Sequence, residues 1–286
     1  MQKIGIIANP ALEKARGILV SLREWLLQRG KKVYWDLDTA RLATGEEQDG
    51  EERSAVIDKS ELIIVMGGDG TMLNVAHQPG ISRVFLVGVN LGTLGFLADI
   101  NLDELFPTLE EVLKGNYKLD ERSMLYAAIQ RDNAKLAEYI ALNEIAVNRA
   151  ALARIITMET YIDNRYVNTF RADGMIIASP TGSTAYSLAS GGPIVHPTAK
   201  AMVLTPICSH TLSNRPLVIS SDSEVEVLLT SKMEAVYLTV DGQIGIKLQY
   251  NDKLTIKKAN QTLKLVQPSE RYYYQVLRNK LGWGGK

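Results

Sequence analysis

The run Leu62-Ile63-Ile64-Val65-Met66 ends in Gly67-Gly68-Asp69-Gly70-Thr71, and apolar residues Leu73, Val75 and Ala76 follow it. A short β-branched run has the composition of a buried strand, and the residues beyond the glycines suit a helix. Glycines at such a joint let the backbone adopt positive φ and let an anion approach its N–H groups without a Cβ in the way. The helix N-terminus adds a favourable potential. An aspartate there is out of place, because its charge repels a phosphate unless it binds a metal or accepts a proton. The alternative is a tight turn with Asp69 as the helix N-cap.

The same alternation runs through residues 1–100. Residues 3–9 read as a buried strand, and Pro10 marks where a helix can begin. Leu12, Ala15, Leu19, Leu22 and Leu26 recur on one helical face until Gly30 stops the pattern. Residues 32–36 predict a second strand, and the acidic, poorly patterned residues 38–52 predict a mobile loop. Residues 84–89 form another apolar run, ending in Asn90-Leu91-Gly92-Thr93-Leu94-Gly95. This is the pattern of an α/β domain with a parallel sheet, whose ligands sit beyond the carboxyl ends of the strands.

After a helix over residues 102–114 the character changes. Residues 124–130, 139–148, 154–163, 224–230, 236–240 and 253–257 are short, often alternating segments, and Asp132-Asn133 and Asp163-Asn164 mark turns between them. They predict a mainly antiparallel, β-rich C-terminal domain. A final helical stretch, 271–281, is expected to pack back on the first domain. The expected division is 1–100, 101–270 and 271–286, in keeping with 286 residues at about 150 per domain.

Composition narrows the function classes. The 32 Lys plus Arg cancel the 32 Asp plus Glu, so no bulk field favours nucleic acid or an anionic membrane. No stretch approaches the roughly 20 apolar residues of a membrane span. The single cysteine, Cys208, excludes an intrachain disulfide and Cys-based metal centres, and points to a reducing cytoplasm. The N-terminus starts as a strand and lacks signal-peptide features. His77, His196 and His210 stand at no metal-ligand spacing.

Neither the Gly-x-x-x-x-Gly-Lys-[Ser/Thr] loop nor Gly-x-Gly-x-x-Gly occurs, and Gly88, Gly92 and Gly95 miss the latter by their first interval. In residues 141–147, Asn143 and Glu144 interrupt an apolar strand pattern. Adjacent strand residues face opposite sides, so at least one of them enters a polar site or an exposed face. The densest cluster is Arg171-Ala172-Asp173-Gly174 followed by Ser179-Pro180-Thr181-Gly182-Ser183-Thr184-Ala185-Tyr186-Ser187 and closed by Gly191-Gly192-Pro193. Pro180 and Gly182 shape a turn, and Ser183 or Thr184 can cap a helix or offer hydroxyls to a ligand. Tyr186 either stacks on a base or packs as an ordinary tyrosine. Ser183 is not in Gly-x-Ser-x-Gly, which argues against a serine hydrolase. Asp241-Gly242-Gln243 reads as a hairpin turn from which Gln243 can reach a ligand.

Together these segments, with Phe96-Leu97 and Leu281-Gly282-Trp283, resemble the NAD kinase family, specifically its bacterial branch. The Gly-Asp motif alone is shared with lipid kinases and loosely with phosphofructokinases. Asn143-Glu144 with Pro180 to Ser187 is far more specific. The resemblance implies transfer of the γ-phosphoryl group of ATP to the 2′-hydroxyl of the adenosine ribose of NAD, giving NADP. It implies Asp69 as proton acceptor with Gly70 beside it. Asn143, Glu144, Asp173, Thr184, Ala185 and Tyr186 match NAD-contacting positions, with Ser187, Leu188 and Ala189 against the same ligand. Arg154, Arg171 and Gln243 fall at more variable contact positions, and Arg171 resembles the branch that prefers NAD to NADH. Many relatives read Ser-Leu-Ser-Ala where this chain reads Ser187-Leu188-Ala189-Ser190, so a hydroxyl contact at residue 189 is lost or moved to Ser190. A divalent metal (Mg or Mn), a cytoplasmic location and a homodimer or homotetramer are further implications, with no nucleic-acid or membrane partner. A lipid or sugar kinase, and a dinucleotide sensor without turnover, are the competing readings; the intact Asp69 argues against the sensor.

Overall fold

The computed structural model describes residues 1–92, 95–98, 100–150, 154–211, 213–232, 235–267 and 273–283. The chain forms two compact units, Met1–Glu121 with Leu263–Lys286, and Arg122–Thr262.

In the first unit, strands β1 (Lys3–Ala8), β2 (Lys32–Trp35), β3 (Leu62–Met66) and β4 (Phe85–Asn90) form a parallel sheet in the order β2-β1-β3-β4. On the far edge of β4, Lys264 and Leu265 pair with Phe85 and Leu86, while β5 (Ile100–Asn101) pairs with its end. Ile4, Ile6, Leu62, Ile64 and Val87 share one core with helices α1 (Arg16–Gln28), α2 (Leu37–Thr44) and, from later in the chain, residues 105–112. The alternate set, Ile7, Ile63, Val65 and Leu86, is equally buried. Both faces are therefore covered, as in other parallel sheets, by these helices and by α3 (Arg53–Lys59) and α4 (Asp69–Ala76), which lie on β1 and β3.

Helix α1 buries the expected Leu19, Leu22 and Leu26 and is followed by Gly30 at φ +70°, but a 3-10 turn over Glu13–Ala15 precedes it, so the helix does not start at Pro10. The acidic stretch is a larger correction. Residues 37–44 are helical, because the Asp36 carboxylate accepts from the Thr39 N–H at 3.0 Å and Gly45 closes the helix at φ +90°. Ala40 and Ala43 are then buried in the core, and Asp38 sits in the first turn, where the helix dipole favours it. The high acid content hid a two-alanine apolar face. Helix α5 (Leu105–Lys114) likewise buries Leu105, Leu109 and Val112 in this core. That contact puts the division at residues 121/122 and 262/263, where sequence reading placed it near 100 and 270.

The second unit is built from two antiparallel layers. One contains the hairpin β6 (Lys118–Arg131) and β7 (Ala134–Ala141), together with β9 (Ile156–Ile162), β10 (Arg165–Ala172), β14 (Val225–Leu229) and β17 (Lys253–Gln267). The other is six-stranded, from β8 (Glu144–Arg149), β11 (Gly174–Ala178), β12 (Ala201–Ile207), β13 (Leu217–Ser220), β15 (Val236–Val240) and β16 (Ile244–Leu248), in the order β13-β12-β11-β8-β15-β16. Met158, Val227 and Ile256 of the first layer meet Ile145, Met175, Leu204 and Leu238 of the second in a shared core, which is sandwich packing. Asp132-Asn133 and Asp163-Asn164 take left-handed φ of 51° and 61°, and 50° and 61°, as hairpin turns require. On the outer face of the six-stranded layer, Ala146, Ile176, Ala178 and Val203 pack with Val195. The segment carrying the short helix α6 (Tyr186–Ala189) is thus seated beside β8 and β11.

Several strand bounds differ from expectation, β6 among them, which begins at Lys118 and not at residue 124. Residues 139–148 are not one segment: β7 ends at Ala141 and β8 starts at Glu144. Strand β17 runs fifteen residues, its start pairing with β14 and its end with β4. Helix α7 (Tyr273–Leu281) belongs to the first unit and buries Val276 and Leu277. Among the described residues, no helix is long and apolar enough to cross a membrane.

Candidate active site

In the first unit the glycine-rich loop lies past the carboxyl end of β3, and Asp69 is the first residue of α4. It is not the N-cap. Gly68 holds that position, with no side-chain cap. The Asp69 carboxylate instead accepts three backbone N–H groups, from Phe96 at 2.9 Å on one oxygen and from Leu97 and Ala98 at 3.0 and 3.1 Å on the other. The segment that donates them is folded by the Gly95 N–H to the Ala98 carbonyl and by Asn90, whose side chain accepts from Gly92 at 2.7 Å. A Cβ on Gly95 would overlap the Asp69 carboxylate. None of Gly67, Gly68 and Gly70 has positive φ, contrary to the sequence reading; a Cβ on Gly67 would overlap Thr71, whereas Gly68 and Gly70 face open space. Thr93 and Leu94 of the neighbouring motif lie outside the described residues.

A cleft of about 440 Å³ opens beside this loop, past the ends of β1 and β3, lined by Asn9, Asp38, Arg53, Gly70, Thr71 and Asn74 among others. Arg53 is fixed by Asp36, at 2.7 Å from Nε and 2.6 Å from Nη2, and donates from Nη1 to Asn74 at 2.5 Å. Sequence reading missed these residues. Asn9 at the end of the first strand was detectable from its position; Arg53, just past the acidic residues 38–52, carried no signal.

In the second unit Asn143 lies in the step between β7 and β8 and Glu144 opens β8, so they are not two neighbours within a continuous strand. Asp241, in the hairpin turn after β15, accepts the N–H groups of Leu142, Asn143 and Glu144 at 2.7, 2.8 and 2.8 Å. That draws the chain out of strand geometry at Leu142 and Asn143. From the other side, the Ser179 N–H donates to the Asn143 carbonyl at 2.8 Å, and the Ser179 hydroxyl donates to Leu142 at 2.5 Å. Gly182 lies so close to Asn143 that a Cβ would meet its backbone. The 179–187 turn is therefore seated directly on the Asn143-Glu144 step.

Glu144 is buried, and one of its carboxyl oxygens has no hydrogen-bond partner among the described residues. Burial, and secondarily the charge of Asp241, push its pKa up to about 8. Tyr186 is 41% exposed, and its phenol is pushed up by burial and by the surrounding Cys208, Asp173 and Glu144. Asp173 is held below the usual carboxylate range by Arg149, which binds it at 2.6 Å through Nε and 3.1 Å through Nη2. Asn143, Glu144, Asp173 and Tyr186 thus gather in one place, with Arg149 and Asp241 as members that sequence reading did not assign.

Other expected residues are placed differently. Ser183 is fully buried, its hydroxyl donating to Pro180 at 2.7 Å and accepting from Val195, so it offers nothing to a ligand. Thr184 donates to the Thr181 carbonyl at 3.1 Å. Ser187 is buried against the Thr205 hydroxyl at 2.8 Å, while Ala185 and Leu188 are half-buried and Ala189 exposed. Arg154 and Arg171 are exposed, and among the described residues their side chains make no hydrogen bond or ion pair. Gln243 is exposed beside the Asp241-Gly242 turn, its N–H donating to Val240.

A glycine-rich loop at a helix N-terminus with a carboxylate fastened at its edge is the equipment of a phosphotransferase that acts on a hydroxyl group. Residues 4–117 match the family model for the ATP-NAD kinase N-terminal domain, and residues 142–268 that for the ATP-NAD kinase C-terminal domain. The chain is 44% identical over 284 residues to the NAD kinase of Geotalea daltonii, and 43% identical to that of Geobacter sulfurreducens, covering 99% of both partners in each case. It is similar to the crystal structure of yeast NADH kinase complexed with NADH, with a TM-score of 0.89 and 26% identity over 100% of this chain and 89% of that one. Its fold also matches an NAD kinase from Archaeoglobus fulgidus in complex with ATP, with a TM-score of 0.77 and 22% identity over 97% and 99% of the two chains. The chain belongs to the NAD kinase family.

Proposed function

We infer that this protein is an ATP-dependent NAD kinase, moving the γ-phosphoryl group of ATP to the 2′-hydroxyl of the adenosine ribose of NAD. The observation that carries the chemistry is the Asp69 carboxylate, held by three backbone N–H groups at the start of α4. A carboxylate has about four lone-pair positions. With three occupied, the remaining one is aimed by the backbone and can take the proton of a ribose hydroxyl as it attacks. Holding that hydroxyl in line with the γ-phosphorus lowers the barrier by prior orientation.

The acceptor is assigned to the second unit: Asn143, Glu144, Asp173, Thr184, Ala185 and Tyr186, with Ser187, Leu188 and Ala189 alongside. Ser187 and Thr184 hydroxyls are engaged internally, so their contribution is through backbone and shape. Arg154, Arg171 and Gln243 have room to reach a dinucleotide, and Arg171 is assigned to the preference for NAD over NADH, which a comparison of kcat/KM on both checks. The donor triphosphate is assigned to the cleft beside Gly70 and Thr71, where the N-terminus of α4 favours anions and the Arg53 guanidinium, paired with Asp36 and Asp38, is the cation at the border.

Among the described residues no three His, Cys, Asp or Glu are close enough to hold a metal. This suits a magnesium or manganese ion that enters on the triphosphate and keeps phosphate and water oxygens as ligands. When bound it supplies charge neutralisation on the transferring group. A homodimer or homotetramer in the cytoplasm is proposed from the family resemblance, and light scattering tests the assembly.

The deciding experiment incubates the protein with NAD and Mg-ATP, and separately with polyphosphate, coupled to an NADP-specific dehydrogenase. NADP formation with ATP is expected. Folded protein that forms none with either donor overturns the reading.

A further inference from the structure

A turn aspartate ordinarily serves its own turn. Asp241 also reaches far beyond it. Its φ of +48° and the Gln243 N–H bond to Val240 define a tight turn within the three-residue connection between Val240 and Ile244, which Asp-Gly favours for conformational reasons alone. Yet the side chain is buried and accepts from three consecutive N–H groups 97 to 99 residues earlier in the chain, those of Leu142, Asn143 and Glu144. The Asp241 N–H donates in return to the Glu144 carbonyl at 3.0 Å. Ser179 grips the same step from the opposite side.

We propose that Asp241 is a positioning residue for the dinucleotide, acting through Asn143 and Glu144 by fixing the backbone that carries both side chains, without touching the ligand. The proposal rests on the assignment of Asn143 and Glu144 to the acceptor. Three donors converging on one carboxylate allow little freedom at residues 142–144, and an asparagine at 241 would turn an N–H₂ toward at least one of them.

The clamp has an electrostatic consequence. The Glu144 carboxyl is buried next to this second carboxylate, and one of its oxygens has no partner among the described residues. Desolvation and Asp241 together keep it protonated at neutral pH, its pKa at about 8, so it meets the ligand with an O–H to donate. The groups facing it are Asp241 from the hairpin turn and Tyr186 from α6. The flanking strands β11 and β15 bring only Tyr237, which is paired opposite Asn148 and so lies further along β8.

The test is steady-state kinetics of the full-length protein, varying NAD and ATP separately across the range that brackets pH 8. Asp241→Asn is expected to raise the KM for NAD about tenfold, leave the KM for ATP within about twofold, and move the pH break in kcat/KM for NAD to lower pH. Glu144→Gln is expected to abolish that break, and Asp241→Glu to recover part of the loss. A native KM for NAD with a native pH break in Asp241→Asn overturns the proposal, as does an equal rise in both KM values. If Asn143→Ala and Glu144→Ala raise the KM for NAD and Asp241→Asn does not, the acceptor assignment stands and this inference falls. If none of the three does, both fall. Amide hydrogen exchange on the native protein needs no variant: strand-like protection of Leu142, Asn143 and Glu144 supports the clamp, and loop-like exchange overturns it.

Discussion

The Asp69 carboxylate occupies the place where a Cβ of residue 95 would stand. The same short segment supplies the three N–H groups that hold the carboxylate, so proximity and orientation have one origin. Gly95→Ala therefore cannot keep both. It is expected to lose about tenfold or more of kcat and roughly 1–3 kcal/mol of stability by overpacking. Gly92→Ala is the contrast, since the nearest atom to its Cβ would be the Asn90 side-chain oxygen at 3.8 Å. Thermal unfolding of the pair checks this: equal midpoints would show that the segment yields without cost.

Asp69→Asn keeps size and removes the base. As proton acceptor, Asp69 accounts for roughly 10²–10⁴ in turnover, and the loss is expected in kcat with the KM for NAD changed only a few-fold. Near-native turnover in a folded variant removes Asp69 from the role.

How much of this was legible beforehand differs between the two units for a physical reason. The parallel sheet and Asp69 announced themselves because a buried strand, a glycine loop and a helix are contiguous in sequence. Helix α2 did not, since its apolar face is two alanines among charges and its two ends rest on Asp36 and Gly45. In the second unit the polar cluster was visible as motifs, and the hydroxyls of Ser183 and Thr184, which the sequence allowed as helix caps or ligand contacts, donate to carbonyls of their own turn. Asp241 was read as a turn residue because its partners lie almost a hundred positions away. Arg149 was not singled out at all: its meaning is the ion pair with Asp173, which exists only once β8 and β11 are side by side.

Arg53 offers a prediction that separates donor from acceptor. Its guanidinium borders the cleft beside Gly70 while Asp36 and Asn74 hold it in place. Arg53→Lys keeps the charge but loses the fork. The expected result is a KM for ATP raised about tenfold in Arg53→Ala and less in Arg53→Lys, with the KM for NAD near native in the lysine variant. A rise confined to NAD would reverse the assignment of the cleft.

The buried Glu144 makes stability depend on pH in a defined sense. Its carboxyl ionises near pH 8 in the folded chain, against 4.5 for an ordinary glutamic acid. Below the lower value both states hold the proton and Glu144 contributes no slope. Between the two values the unfolded chain releases the proton and the folded chain retains it, so stability falls as pH rises; above about 8 both are ionised and the deficit is constant. Asp173, shifted the other way by Arg149, loses its contribution at acid pH, but it does so equally in a variant that leaves it untouched. Glu144→Gln cannot ionise and escapes the deficit. Its stability relative to native protein is therefore expected to climb through this interval and level off, by an amount of order 2–5 kcal/mol. Urea unfolding at a series of pH values measures the difference directly. A gap that stays constant from acid to alkaline pH would mean that Glu144 ionises over the same range in the folded and the unfolded chain, and that neither its burial nor the carboxylate of Asp241 holds its proton.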